Sequence, residues 1–169
     1  GHLVYPGLFD SLTRLGLTEV GAVRATHDYR ELGSVTPEER AIVAVNPDST
    51  IIPVTRSGGV LLAGVFPEGG LVPGRAGGIK LEGWTWEDMS AIENADRDAG
   101  LIINWPAARV RQDRWTGKVN SDREETRKAQ VRGLHEMFEK AKAYAAAKRT
   151  RPGDPTALRL EAMLPALAG

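Results

Sequence analysis

The run VLLAGVF, residues 60–66, is apolar without interruption and restricts the fold more than any other segment. A strand with one wet face alternates apolar and polar residues, whereas an unbroken run asks for cover on both faces. Such strands sit inside helix-flanked sheets, and parallel pairing is the natural expectation. Further short runs rich in β-branched residues alternate with helical patterns. LVYPGLF (3–9) and EVGAVRA (19–25) read as strands, IKLEG (79–83) as a short one and LIINW (101–105) as another. The pattern predicts an α/β fold of parallel strands with intervening helices.

Start and stop signals place the helices. In NPDSTIIPVTRSGG, Asn46 reads as a cap, Pro47 as the first helical residue and Gly58 as the stop, with a kink expected at Pro53. TWEDMSAIENADRDAG carries Thr85 with Asp88 three positions on, and a helix is expected to run from there toward Gly100. The strongest pattern spans Ser121 to Arg149, where Ser121 and Glu124 form a capping box and Val131, Leu134, Phe138, Ala141 and Ala145 repeat at helical spacing. Arg151-Pro152-Gly153 ends it. Asp154 and Pro155 restart a helix with Leu158, Met163, Leu164 and Leu167 on its apolar side. PEGGLVPGRAGG (67–78) reads as a loop.

Composition narrows the function classes. At 169 residues and 41% hydrophobic content the chain is long enough for one domain with a real core. Lys and Arg number 22, as do Asp and Glu, so no overall field draws it to nucleic acid or an anionic membrane. The absence of cysteine removes disulfides, zinc-thiolate sites and thiol nucleophiles, leaving only metal sites built from His and carboxylate. No stretch approaches the roughly 20 apolar residues of a membrane helix, and the chain is read as soluble. It enters directly on GHLVYPG and stops at LPALAG where a further strand is due, so residues 1–169 read as one partial domain cut at both ends.

Three segments carry a family resemblance: VYPGLFDSLTRLGLTEV (4–20), AVNPDSTIIPVTRSGGVLLAGVFPEGGLVPGRAGGIKLEGWTWEDM (44–89) and LRLEAMLPALAG (158–169). In this order they resemble the metal-dependent amidohydrolase superfamily, specifically its imidazolonepropionase-like members. The resemblance implies the first part of a (β/α) TIM-barrel-like hydrolase that cleaves C–N bonds of amides or cyclic amides with metal-activated water. In that family the first barrel strand ends in a Pro-Gly-apolar-apolar-Asp lead-in, matched here by Pro6 to Asp10, followed by His-X-His ligands to a divalent metal. The two histidine positions fall on Leu12 and Arg14. Leucine has no donor atom and arginine is a fixed cation without a lone pair, so this strand supplies no ligand. The resemblance implies that a zinc-like divalent metal belongs to the intact protein, with the remaining ligands on later strands. It also extends to a branch in which the histidine pair is replaced and the LGL-E pattern persists; members of that branch are often exported.

Among residues that could do chemistry, His27, Asp28 and Glu31 in THDYRELG form a candidate cluster for a general base or a substrate contact at a strand's C-terminal end. The plainer alternative is a capped turn with a solvated Glu31. In the loop after residue 66, Glu68, Gly69, Gly70 and Arg75 are candidates for shaping the substrate site, with Arg75 as a charge partner for an anion. The loop lacks the spacing of either common phosphate-binding motif, and close packing is its alternative reading. Trp84 and Trp86 point to opposite faces if extended, and His135 with Glu139 makes an i,i+4 surface pair rather than a metal site.

Two functions follow as expectations. One is a fragment or divergent member of the amidohydrolase family, inactive as this chain alone and acting on a small amide-type substrate when intact. The other is a pseudo-enzyme, a binding module that keeps the scaffold and uses the barrel mouth. Either way, a few barrel strands leave sheet edges uncovered, so the remainder of the barrel or a second chain is the expected partner, and the isolated chain is expected to be weakly stable or to associate.

Overall fold

The structure, a computed structural model, describes residues 2–94, 96–107 and 121–168, and the side chains of all of these except 121–123. The chain divides into two units, Gly1–Ile102 and Ile103–Gly169.

The first unit is built on the apolar run. Val60–Val65 forms strand β2, joined in one sheet by β1 (Leu8–Thr13), β3 (Gly74–Lys80) and β4 (Gly100–Ile102), in the order β1-β2-β3-β4. The sheet curls into a half-barrel, and its mixed α/β character matches the expectation. Its strand directions differ from it. β1 and β2 are parallel, with Leu8 opposite Val60 and Asp10 opposite Ala63, but β3 runs antiparallel to β2 and β4 antiparallel to β3. The connection explains this. A parallel return needs a crossover of a dozen or more residues, whereas residues 66–73 allow only a hairpin-like reversal.

That reversal also corrects the reading of 67–78 as loop throughout, since β3 begins at Gly74. The glycines there serve packing. A Cβ on Gly77 would lie 2.8 Å from the Cβ of Ile42, in the 3-10 turn Ala41–Ala44 that packs against β3.

Other boundaries moved for local reasons. Residues 3–7 stay outside the sheet and β1 starts two residues after Pro6. The expected strand at 19–25 is a turn: the Thr26 hydroxyl takes the Val20 N–H and lies against the Val20 and Val23 carbonyls, and a 3-10 turn follows at Arg24–Thr26. Helix α1 is Ile51–Ser57, preceded by a turn in which Asn46 Oδ1 accepts from Asp48 N–H at 3.1 Å. Pro53 falls in its first turn, where the missing N–H is not needed, so no kink forms. Helix α2 keeps only Trp86–Met89, with the expected Thr85 cap on Asp88 N–H at 3.2 Å. Beyond it the chain is drawn onto β3 instead, through a bridge from Ser90 to Ile79 and a bond from Ala91 N–H to Gly78 O.

The core gathers Leu17, Ile42, Val65, Ile79, Leu81 and Met89 between the sheet and the segments over it. Each fully buried side chain of this size contributes about 1.5–3 kcal/mol. β1 lies outside this cover. It is an edge strand, exposed along nearly its whole length, with Leu8 61% and Phe9 60% exposed.

The second unit contains α3 (Ser121–Thr150), α4 (Leu158–Glu161) and α5 (Leu164–Ala168). The α3 stripe behaves as its spacing predicts, with Leu134 and Ala141 buried and Val131, Phe138 and Ala145 partly so. The capping role expected of Ser121 lies outside the described side chains. After Thr150 the restart comes late, at Leu158, which is itself exposed, while Met163 is buried. Tyr144 donates to Glu161 and ties α3 to α4. Among the described residues, no helix is long and apolar enough to cross a membrane.

Candidate functional site

Because β1 and β2 are parallel, their C-terminal ends lie together. Arg14 follows the last residue of β1 and Glu68 stands just past β2, and at that shared end Arg14 Nε donates to Glu68 Oε1 at 2.5 Å. The guanidinium carbon of Arg14 lies 4.4 Å from the centroid of the Tyr29 ring, a cation-π contact that holds its plane. The backbone braces the same arrangement, since Glu68 N–H donates to Tyr29 O at 2.7 Å.

Tyr29 connects onward to His27. Its hydroxyl is 3.4 Å from His27 Nδ1, and His27 Nε2 is 3.2 Å from Gly21 O. A carbonyl only accepts, so in the neutral ring Nε2 carries the hydrogen and Nδ1 accepts from Tyr29. The two rings stand 5.2 Å apart, tilted by 34°. His27 is thus joined to the Arg14-Glu68 pair through Tyr29. Asp28 and Glu31 do not join it. Asp28 is exposed and uses its backbone N–H on Leu17 O. The exposed Glu31 faces the neighbourhood of Glu39, whose carboxyl is held above its ordinary value by burial first and then by the charges of Glu31 and Glu38.

The loop residues also separate. Gly69 and Gly70 take positive φ values of 92° and 54°, and a Cβ on Gly70 would lie 2.7 Å from Ser34 O, so this turn packs tightly on residues 33–34. Arg75 points elsewhere. It is buried and donates through Nη1 to Asp98 Oδ2 at 2.7 Å, with Asp96 Oδ2 at 3.5 Å.

Leu12 is 72% exposed on β1. With no lone pair on Leu12 and a fixed cation at Arg14 already bonded to Glu68, these two positions do not fit a metal. Among the described residues there is no group of three or more His, Asp or Glu side chains placed to hold one. Sequence reasoning missed Tyr29 and Arg30, the latter lying with its side chain over Gly69. Nothing in the spacing marks them, for Arg14 and Glu68 are 54 positions apart.

Two of the hollows lined by described residues carry aromatic side chains. One, of about 320 Å³, is lined by Pro47, Ile52, Arg56, Leu81 and Trp84, and Trp84 is 90% exposed there while Trp86 packs under Arg40. The other, in the second unit, includes Trp105, His135 and Phe138. There Glu139 bonds to Lys142 at 2.8 Å, and His135, the partner the sequence suggested, acts on it through charge. That bond, then the Lys142 charge, lowers the Glu139 carboxyl below its ordinary range.

No protein-family model matches the chain, and no curated protein does. Among solved structures it is similar to an amidohydrolase from Thermotoga maritima MSB8, with a TM-score of 0.71 and 23% sequence identity, covering 94% of this chain and 41% of that one. The chain therefore spans less than half the length of that structure, and its fold is amidohydrolase-like.

Proposed function

We propose that the chain is part of an amidohydrolase-like hydrolase, a fragment or divergent relative of the imidazolonepropionase-like branch, that cleaves C–N bonds in amides or cyclic amides. Its own contribution is to hold the substrate at the barrel mouth. The observation that carries this reading is the meeting of Arg14, Glu68 and Tyr29 at the shared C-terminal end of parallel β1 and β2, the end at which barrel enzymes gather their active-site groups. A metal, where the intact protein has one, takes its ligands from residues other than Leu12 and Arg14. Acting alone, the chain is expected to bind without turnover. Further barrel strands, or a second chain, would cover β1 in this reading.

A second reading rests on Leu12 and Arg14 themselves: a binding module that has lost hydrolysis and kept the mouth. The test is hydrolysis of a panel of N-acyl amino acids and cyclic amides by the intact protein purified from its source, with metal content measured alongside. Turnover that falls when Arg14 is changed to Ala supports the hydrolase. Saturable binding with no turnover of any member supports the module.

A further inference from the structure

We propose that the hollow lined by Trp84 and Asp48 in the first unit binds a small organic monocation, an alkylated ammonium. None of the residues that meet at Arg14 lines it, so it is independent of the reading of that end as a substrate mouth. Its volume, about 320 Å³, is that of a small-ligand site. The buried part of the lining is apolar, made by Ile52, Leu81 and Met89. Such a surface suits methyl groups and offers nothing to replace the water of a hydrated metal ion.

Charge selects the sign of the ligand. Of the ionised residues on the lining, Arg56 is engaged within the chain, donating to Leu81 O at 3.3 Å with Glu82 Oε2 at 3.7 Å. Asp48 is exposed, and its carboxylate makes no hydrogen bond or ion pair among the described residues. One negative charge is thus left over, and a cation complements it. Trp84 supplies the second attraction. It is 90% exposed and makes no hydrogen bond or ring contact among the described residues. Gly83, at φ 153°, brings the chain close over Met89 just before it, where a Cβ would lie 2.6 Å from Met89 Cγ. Two positions on, the Trp86 ring already has a cation, the Arg40 guanidinium at 5.4 Å from its centroid. Trp84 has the same electron-rich face and no cation of its own chain against it, and an alkylated ammonium, weakly hydrated, is the cation such a face holds best.

The experiment is an NMR titration of the full chain with choline and, in parallel, its neutral analogue with a tert-butyl group in place of trimethylammonium. The reporters are the Trp84 indole N–H and the Gly83 amide. Choline is expected to saturate with shifts at both, and the neutral analogue to bind about tenfold more weakly. Trp84→Ala should weaken choline about tenfold and Trp84→Phe by less, since an indole holds a cation more strongly than a phenyl ring. Asp48→Asn should weaken it about threefold, with the difference shrinking as salt is raised. Equal affinity for the neutral analogue would make the hollow a plain apolar pocket, and displacement of choline by equimolar potassium would make it a metal-cation site. Unchanged affinity in both Trp84→Ala and Asp48→Asn would put choline elsewhere on the protein. Each of these results overturns the proposal, as does a titration with no saturation. Attachment to phosphatidylcholine vesicles without a response to free choline would assign the hollow to a lipid headgroup and overturn the small ligand.

Discussion

Arg75 and Arg14 stand at the same end of one sheet, and the protein surrounds them in opposite ways. Arg75 is buried against a buried Asp98, and Arg40 on the neighbouring segment also donates to the Asp96 carbonyl. Arg14 is half exposed and shares one bond with a partly exposed Glu68. Two charges taken from water have lost their solvation, so separating them leaves one stranded at high cost. A pair still in contact with solvent can exchange partners cheaply. Arg75 therefore fastens the turn at Asp96 and Asp98 to β3, while Arg14 keeps half of its side chain in solvent.

The largest test of that contrast is Arg75→Ala, expected to destabilise the protein by about 3–5 kcal/mol because Asp98 is left buried and unpaired. Urea unfolding measures it, and the double change Arg75→Met with Asp98→Leu should recover most of the loss. A cost like that of a surface pair would erase the distinction. Next comes Gly64→Ala, whose Cβ would lie 2.6 Å from Ser11 O, a backbone atom of β1. It should loosen β1 from β2, lower stability by about 1–3 kcal/mol and release Arg14 from Glu68, read as increased amide exchange along β1.

Smaller effects are expected on the exposed side. A double-mutant cycle on Arg14→Ala and Glu68→Ala should give a coupling of about 0.2–1 kcal/mol that shrinks as salt is raised. The smallest concerns Glu39, whose backbone carbonyl accepts from Arg75 N–H. Burial and its acidic neighbours hold its carboxyl above the ordinary value, so folding favours the protonated form. The stability this gives is complete below the unfolded-state pKa and is lost as pH rises through the folded one. Glu39→Gln should then be more stable than the parent near neutral pH, with the gap closing as pH falls to about 4, as urea midpoints across that range would show.

Segments whose signal is local were legible from the sequence. VLLAGVF became β2, the stripe from Val131 to Ala145 became the inner side of α3, and Thr85 capped α2. Errors came where contacts to residues outside a run overrode its own pattern. The run after Met89 was drawn onto β3, the glycines of β3 looked like loop although they admit Glu39, Ile42 and Ile92 against the strand, and EVGAVRA was closed by the Thr26 hydroxyl. The candidate site was the least legible part. The departures at Leu12 and Arg14 were visible in the sequence, but Tyr29 has no motif and the pairing of Arg14 with Glu68 exists only once β1 lies beside β2.

The parallel pairing of β1 with β2 also fixes an order of events. β2 and β3 are joined by residues 66–73 and form a local hairpin, whereas Arg14 must find Glu68 across 54 positions. Closing the longer loop costs more chain entropy, and contacts close in sequence form first. The hairpin is thus expected to form early and β1 to dock late, bringing Arg14 to Glu68 after the hairpin is in place. A ligand held by Arg14 would bind only the finished state, and would act as a latch on the last strand to arrive.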